Sequence, residues 1–315
     1  LVMLIWPMIA LGWVVNLYQR GAASMGRLNR ILEAKPAVEV PLQPASLDHA
    51  LGQIEFRNVS FAYPGSERDV LDAIDFVVEP GATVAIVGPT GSGKSTLVGL
   101  LARLYDPTGG EILLDGVKLT DVDPADLRLR IGMVPQDSFL FSATIAENIG
   151  LGLNPEEPRV TESGEPSDVI AAAAAVAHLS EQIEDFPNGY ETMLGERGIN
   201  LSGGQKQRAT LARALARDPL ILVLDDALSA VDTHTEAKIL KDLRAVMKQR
   251  TSFIISHRVS AVMHADEILV LEDGALVERG THAELINGSG TYARLLRRQM
   301  IEEDLDSPLA TTSGD

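Results

Sequence analysis

The chain has 315 residues, of which 45% are hydrophobic, so it is long enough for one large domain or two ordinary ones with a substantial core. Its formal net charge of −17, from 44 acidic and 27 basic residues, disfavours a nucleic-acid-binding surface, which is usually basic. The sequence has no cysteine, which excludes disulfides and thiolate metal sites and is compatible with any compartment. Because the first residue is Leu1 and not Met, we expect the sequence to be part of a longer protein.

The N-terminal segment is apolar. Residues 1–18, LVMLIWPMIALGWVVNLY, carry no charged side chain, and as a helix they would extend roughly 27 Å, close to a bilayer core of about 30 Å. A signal peptide would need a basic start and a small-residue cleavage site, which the segment lacks, whereas a buried core helix remains the other alternative. Arg20, Arg27 and Arg30 follow the apolar run, as is typical of a cytoplasmic flank. The sequence therefore predicts a transmembrane helix with its cytoplasmic extension over residues 1–35.

The remaining chain has a different organisation. Three prolines indicate that residues 36–50 form a linker. Apolar strands and helices then alternate with glycines at the joints, which predicts an α/β domain with a mostly parallel core sheet over residues 51–300. Two early segments, QIEFRNVSFAY and VLDAIDFVVEPG, alternate apolar and polar residues, which is typical of antiparallel strands with one solvated face. Residues 301–315 are predicted to be a disordered tail.

A glycine-rich loop follows the apolar run TVAIV. Its sequence, GPTGSGKST, fits G-x-x-x-x-G-K-[ST] and precedes the helical segment TLVGLLARL. In this order of strand, loop and helix start, backbone N–H groups converge on phosphate oxygens. The alternative is a plain glycine turn before a helix, which would not require the flanking strand and helix. Lys94 is expected to reach the β- and γ-phosphates, and Ser95 to ligate Mg²⁺. The sequence therefore predicts a nucleotide site, the P-loop, formed by Gly88, Pro89, Thr90, Gly91, Ser92, Gly93, Lys94, Ser95 and Thr96.

A second segment has the features of an anion site. In LSGGQKQR, Ser202 is typical of an N-cap, and Gly203 and Gly204 leave backbone N–H groups accessible at a helix start. This segment stands just before ILVLDD and resembles the signature motif of the ABC (ATP-binding cassette) ATPases. In that family two domains pair head to tail, and each ATP lies between one P-loop and the partner's signature. The resemblance implies ATP and Mg²⁺ as cofactors, with Ser202, Gly203, Gly204 and Gln205 as contacts to nucleotide.

Further segments resemble ABC motifs in family order. Tyr63 resembles the aromatic that stacks on adenine, although a tyrosine at a strand end is more often a core residue. Gln136 resembles the Q-loop glutamine, which touches Mg²⁺ and the attacking water. GERG, residues 195–198, resembles a loop that exporters press against their membrane-domain helices, and SAVD, residues 229–232, resembles the D-loop, which crosses the dimer. His257 in IISHR resembles the switch histidine that contacts the γ-phosphate, although a lone histidine after a strand is more often structural.

The resemblance implies an architecture as well. The fold class is a P-loop NTPase ABC ATPase domain, with a mostly parallel core sheet, an antiparallel β subdomain and an α-helical subdomain, preceded by one transmembrane helix. That helix resembles the last one of an exporter, which implies that the remaining transmembrane helices lie outside this sequence. The expected location is the plasma (inner) membrane with a cytoplasmic ATPase domain. The transported substrate stays undetermined among drugs, lipids and peptides.

Two other functions are alternatives to the exporter. A soluble ABC ATPase of DNA repair or translation predicts a basic face or a long coiled-coil insertion, and the sequence shows neither. An importer ATPase lacks a fused helix, and this reading requires that residues 1–18 are not inserted in a membrane. The expected partners are therefore the membrane and a second half-transporter, with no nucleic acid.

The strand ILVLDD ends in two adjacent carboxylates. The resemblance implies that Asp225 holds Mg²⁺ and that Asp226 stands where most family members have a catalytic glutamate. Aspartate is one methylene shorter, which withdraws its carboxylate by roughly 1.5 Å. A misplacement of about 1 Å can cost on the order of 10²-fold in rate, so we expect ATP to bind and hydrolysis at this site to be slow.

In heterodimeric exporters, one subunit carries an aspartate at this position and keeps an intact signature. Asp226 together with LSGGQ thus predicts the degenerate half of a heterodimer. The retained His257 argues against this reading, because some degenerate subunits lose that histidine. A homodimer with two slow sites and a regulatory subunit that binds ATP without hydrolysing it stay open.

Overall fold

The computed structural model describes residues 2–66, 68–153, 158–161, 165–195 and 201–306. The chain divides into two compact units, residues 1–39 and 40–315. The first unit is one long helix, α1 (Ile5–Leu32), preceded by a 3-10 turn at Val2–Leu4, and none of its described residues is buried. Among the described residues, Val2–Leu32 is the one helix that is long and apolar enough to cross a membrane by length and composition.

The second unit contains all the described strands. They are β1 (Ile54–Phe61), β2 (Leu71–Val78), β3 (Thr83–Val87), β4 (Gly109–Leu114), β5 (Val117–Lys118), β6 (Ile131–Val134), β7 (Ile221–Asp225), β8 (Thr251–Ile255), β9 (Glu267–Glu272) and β10 (Ala275–Gly280). Its described helices are α2 (Lys94–Leu101), α3 (Pro124–Leu129), α4 (Ile145–Ile149), α5 (Asp168–Val176), α6 (Ser180–Glu184), α7 (Gly203–Ala216), α8 (Thr233–Met247), α9 (Val259–Val262), α10 (His282–Ile286) and α11 (Thr291–Asp306).

The second unit begins before the predicted domain boundary at residue 51. The Ala45 N–H donates to the Asp121 carbonyl at 2.8 Å, and Leu47 is buried in the core. The N–H groups of Leu51 and Gly52 both donate to the Asp115 carboxylate. Residues 40–50, predicted as linker, therefore run along the domain, because an apolar side chain and backbone hydrogen bonds fix them there.

A small antiparallel sheet has the strand order β2-β1-β4-β5. In β1 and β2 the buried positions are apolar and most of the intervening positions are polar, as in strands with one solvated face. Phe56 and Phe76 stack across the strand pair with their ring centroids 4.6 Å apart. The predicted antiparallel strands are confirmed.

The central sheet has the order β10-β9-β3-β8-β7-β6. All of its strands run parallel except β10, which pairs antiparallel to β9, and this confirms the mostly parallel core sheet. Every residue of β3, β7 and β8 is buried, as expected for parallel strands covered on both faces. Since β8 lies between β3 and β7, the segments that follow these three strands meet at one edge of the sheet.

The helical part contains α4, α5, α6 and α7. Alanines allow α5 and α7 to approach closely: Ala173 and Ala174 of α5 and Ala209 and Ala212 of α7 belong to one buried apolar cluster. This arrangement is the predicted α-helical subdomain. At the other end of the chain, α11 continues to Asp306, six residues into the segment 301–315, and residues 307–315 lie outside the described residues.

Candidate functional site

The P-loop connects β3 to α2, as predicted from its flanks. Gly93 has φ +100° and caps α2 without a side-chain hydrogen bond. A Cβ at Gly93 would lie 2.7 Å from Leu71 Cδ2 and 2.9 Å from the Val70 carbonyl oxygen, so both the space and the dihedral require glycine. The first N–H groups of α2 are therefore not satisfied by a cap and face the loop, as anion binding requires.

Lys94 is buried at the start of α2. Its Nζ donates to the carbonyl oxygens of Gly88 at 2.9 Å and Pro89 at 2.8 Å. Burial lowers the pKa of its ammonium group, while the nearby Asp226 and Asp225 act in the opposite direction. The ammonium is thus held inside the P-loop, close to both carboxylates.

Asp225 ends β7 and is only 4% exposed. Burial raises the pKa of this carboxyl, against a hydrogen bond with Ser95 that lowers it. Its Oδ1 is buried without a protein partner, which is unusual for a carboxylate oxygen. A buried acceptor beside a serine hydroxyl fits a Mg²⁺ ion, which takes few protein ligands and completes its shell with phosphate and water oxygens. Within the described part of the chain, no group of three or more His, Cys, Asp or Glu residues forms an all-protein metal site.

Asp226 adopts φ +45°, a left-handed conformation that is uncommon outside glycine. Its N–H donates to the Ile255 carbonyl at 2.9 Å, and its own carbonyl accepts from Gln207 Nε2 at 3.4 Å. Its Oδ2 lies 3.5 Å from Nε2 of His257, whose ring is about half exposed. Two hydrogen bonds hold the backbone of Asp226 in place. The distance that its carboxylate extends into the site is therefore set by the length of the side chain.

A cavity of 340 Å³ brings these groups together. Tyr63 lies at this cavity, with its hydroxyl 3.0 Å from Thr96 Oγ1 and its ring edge-on to Phe61 and Tyr105. The predicted site residues that line the cavity are Tyr63, Thr90, Gly91, Gly93, Lys94, Ser95, Thr96, Gln136, Asp226 and His257.

Three predicted P-loop residues lie elsewhere. Gly88 and Pro89 line a neighbouring cavity of 530 Å³ between the P-loop and α11. Ser92 is buried, and its Oγ has no protein partner. An unpartnered hydroxyl inside an anion-binding loop is compatible with a phosphate contact.

The signature residues form a separate group. Ser202 Oγ accepts from the Gln205 N–H at 3.2 Å, and Gln205 Oε1 accepts from the Ser202 N–H at 2.8 Å, which makes a capping box. The predicted N-cap is confirmed, with α7 beginning at Gly203. None of Ser202, Gly203, Gly204 and Gln205 lines the cavity around the P-loop of the same chain. Residues 196–198 of GERG lie outside the described residues.

Gln207 and Arg258 were not predicted as functional residues from the sequence. Gln207 is buried and bonds to the D-loop, residues 229–232. Arg258 forms an ion pair with the buried Glu236 and donates to the carbonyls of Ser229 and Val231. Gln207 stands four residues before the buried Leu211, on the apolar face of α7. This spacing is the sequence signal that could have predicted its burial.

Comparisons with known proteins fit this geometry. The ABC transporter family profile matches residues 71–229, just over half of the chain. The chain is 46% identical over 299 residues to a probable multidrug resistance ABC transporter ATP-binding/permease protein of Bacillus subtilis, a match covering 95% of this chain and 49% of the relative. It is 43% identical over 297 residues to an ATP-dependent lipid A-core flippase of Aromatoleum aromaticum, covering 94% of this chain and 48% of that protein.

Among solved structures, the chain is similar to a bacterial Atm1-family ABC exporter with ATP bound. The TM-score is 0.81 and the identity 41%, over 95% of this chain and 51% of that one. The chain thus spans about half the length of these relatives. A profile match over just over half of the residues, together with relatives 46% and 43% identical over 95% and 94% of the chain, shows that this chain belongs to the ABC transporter family.

Proposed function

We propose that this chain is the ATP-binding and ATP-hydrolysing part of an exporter, and that it couples nucleotide turnover to export of a drug, lipid or peptide. The observation that carries the proposal is the cavity of 340 Å³, which is lined by Lys94, Gln136 and His257 together with Asp226, the acid that follows β7. The apolar helix Val2–Leu32 and the names of the relatives support a membrane exporter with a cytoplasmic ATPase domain.

In this proposal, different residues bind the adenine, the phosphates and Mg²⁺. Tyr63 lines the cavity and would stack on adenine, and the P-loop N–H groups would bind the phosphates. Lys94 exchanges its two loop carbonyls for phosphate oxygens, a change that keeps the ammonium fully hydrogen-bonded. Ser95 and Asp225, with Gln136, would hold Mg²⁺, which supplies charge neutralisation on the phosphates when bound.

Hydrolysis depends on the reach of Asp226. A general base acts only within hydrogen-bond distance of the water it polarises. Hydrogen bonds from Gln207 and to Ile255 hold the Asp226 backbone, so a shift of the main chain does not compensate for the missing methylene. His257 lies beside the Asp226 carboxylate and would contact the γ-phosphate. We therefore propose durable ATP binding and slow turnover at this site.

The signature residues serve another nucleotide in this proposal. They lie outside the chain's own cavity, yet glycines at the start of α7 leave N–H groups open to an anion. Ser202, Gly203, Gly204 and Gln205 would contact the ATP held by the P-loop of a partner. Because Asp226 coexists with an intact signature, we favour a second half-transporter with a competent site over a second copy of this chain.

Steady-state ATPase rates of the full-length protein test the proposal. The protein alone should be slow, and Asp226→Glu should raise kcat by about 10-fold or more because the carboxylate then reaches the water. If the adjacent gene encodes a second half-transporter with a glutamate at the position of Asp226, mixing the two proteins should give faster hydrolysis that depends on that glutamate. Brisk hydrolysis by the protein alone, unchanged by Asp226→Glu, would show that the site is not degenerate.

A further inference from the structure

Gln207 lies between the signature helix α7 and the catalytic end of β7. We infer that Gln207 is a positioning residue that joins the nucleotide-binding end of α7 to Asp226 through the D-loop, so that the two nucleotide contacts of one chain move together. The inference rests on the proposed function, because it takes the signature to serve the partner's ATP and Asp226 to serve the chain's own.

Three hydrogen bonds engage the side-chain amide of Gln207. Its Nε2 donates to Ser229 Oγ at 2.8 Å and to the Asp226 carbonyl at 3.4 Å, and its Oε1 accepts from the Ala230 N–H at 2.8 Å. The residue is 5% exposed, so water does not replace these partners. A buried amide satisfied in this way holds its neighbours in one geometry, because leaving any of its groups unpaired is costly.

The start of α7 also packs directly on the D-loop. A Cβ at Gly204 would lie 2.9 Å from the Ala230 carbonyl oxygen, and one at Gly203 would lie 3.3 Å from Ala230 Cβ. No side chain separates the two segments. The glycines that leave α7 open to an anion thus also let the helix touch the D-loop, and Gln207 adds hydrogen bonds one turn further along.

The contact continues to the catalytic carboxylate. Asp226 is bonded to Ile255 on one side and to Gln207 on the other, and its carboxylate stands beside His257. A displacement of the α7 N-terminus is therefore passed to the Asp226 backbone through a single hydrogen-bonded side chain. When α7 closes on the partner's ATP, Gln207 sets the position of Asp226 towards the chain's own ATP.

Two variants of the full-length protein separate this role from simple packing. Gln207→Met keeps the length of the side chain and removes all three hydrogen bonds. Gln207→Glu keeps side-chain oxygens that can accept from the Ala230 N–H and the Ser229 hydroxyl. It places a carboxylate oxygen against the Asp226 carbonyl, so the hydrogen bond to Asp226 alone is lost. The matched control is Gln53→Met, which removes a surface hydrogen bond to Glu79 far from both sites.

The measurements are kcat and KM for ATP, equilibrium binding of a fluorescent ATP analogue, and the thermal midpoint Tm. In the Asp226→Glu background, where the carboxylate reaches the water, we expect both Gln207 variants to lower kcat on the order of 10-fold, because that carboxylate is misplaced. Nucleotide affinity should stay within about 2-fold, since Gln207 makes no hydrogen bond to residues 88–96. Gln53→Met should change none of these quantities.

Two outcomes contradict the inference while leaving the proposed function intact. In the first, Asp226→Glu hydrolyses ATP at the same kcat with or without Gln207→Glu or Gln207→Met. In the second, kcat falls only in proportion to the folded fraction that Tm and nucleotide binding report, which marks Gln207 as a packing residue. A wild-type protein that binds no ATP would overturn the proposed function and the inference together.

Discussion

Asp225 and Asp226 are neighbours in sequence with different physical environments. Asp225 is a strand residue with an unpartnered buried oxygen, whereas Asp226 turns into a left-handed conformation and faces His257. The position of both acids at the end of an apolar strand was predictable from the sequence, because it depends only on neighbouring residues. The dihedral of Asp226 and its two backbone hydrogen bonds depend on β8 and α7, so no sequence pattern around residue 226 revealed them.

The buried carboxylate of Asp225 is expected to lower the stability of the protein without Mg²⁺, although the proposed Mg²⁺ site needs it. Its raised pKa means that the folded protein holds the proton more tightly than the unfolded chain. Stability from this group is present at low pH and is lost as pH rises from the ordinary aspartate range through the raised value. At neutral pH and without Mg²⁺, Asp225→Asn should therefore raise Tm, by about 2–4 °C for each kcal/mol relieved.

Thermal unfolding in EDTA and in Mg·ATP checks this prediction. In EDTA the variant should melt above the wild type, and in Mg·ATP it should lose most of the ligand-induced stabilisation because a Mg²⁺ ligand is missing. Asp48→Asn is the matched control, since that carboxylate is 79% exposed. A variant that melts below the wild type in EDTA would show that the ionised carboxylate is not a burden on the fold.

At the scale of elements, the site is assembled from strand ends. The P-loop was predictable because strand, glycines and helix start are contiguous in sequence. The order β3-β8-β7, which brings His257 to the same edge, is a property of the assembled sheet and not of any single segment. The link from α7 to the D-loop was missed because Gln207 and Ser229 are distant in sequence and only tertiary packing joins them.

A second tertiary link ties α8 to the segment after β8. Arg258 pairs with Glu236, which is 4% exposed, and also bonds to D-loop carbonyls. Arg258→Ala would leave the Glu236 carboxylate buried and unpaired. We expect the free energy of unfolding to fall by roughly 3–5 kcal/mol, and the double variant Arg258→Met, Glu236→Leu to recover most of that loss because no charge stays buried.

Urea titration of the wild type, the single variant and the double variant measures these free energies. Arg57→Ala is the control, since Arg57 pairs with Glu55 at the surface, where solvent screens the pair and its loss should barely change the free energy of unfolding. A single variant within about 1 kcal/mol of the wild type would mean that the Glu236 carboxylate does not stay buried and unpaired.

At the scale of the whole chain, the described residues form two units of different kinds. Residues 1–39 offer no core of their own, whereas residues 40–315 contain both sheets and all the buried apolar clusters. The apolar N-terminus and the α/β pattern were evident from composition. The boundary was not, because the burial of Leu47 depends on a surface formed far along the chain.

Two truncations test that boundary. A protein of residues 40–315 should fold and bind Mg·ATP, while one of residues 51–315 should be less stable by about 2 kcal/mol, since it loses the burial of a leucine and the hydrogen bond from Ala45. Urea titrations of the two proteins give the difference, and Leu47→Ala in the longer one should reproduce most of it. Equal stabilities would place residues 40–50 outside the cooperative unit.

The hydrogen bonds of Lys94 have a consequence for ligand choice. Because the P-loop supplies its own two acceptors for the ammonium, every ligand competes with the loop for that cation. A chain of adjacent phosphates offers enough oxygens to take over both bonds and the helix N–H groups together, whereas a nucleoside monophosphate does not. The loop therefore selects ligands by the number of their phosphates, independently of the base, and AMP should be a poor competitor even where adenine stacks well.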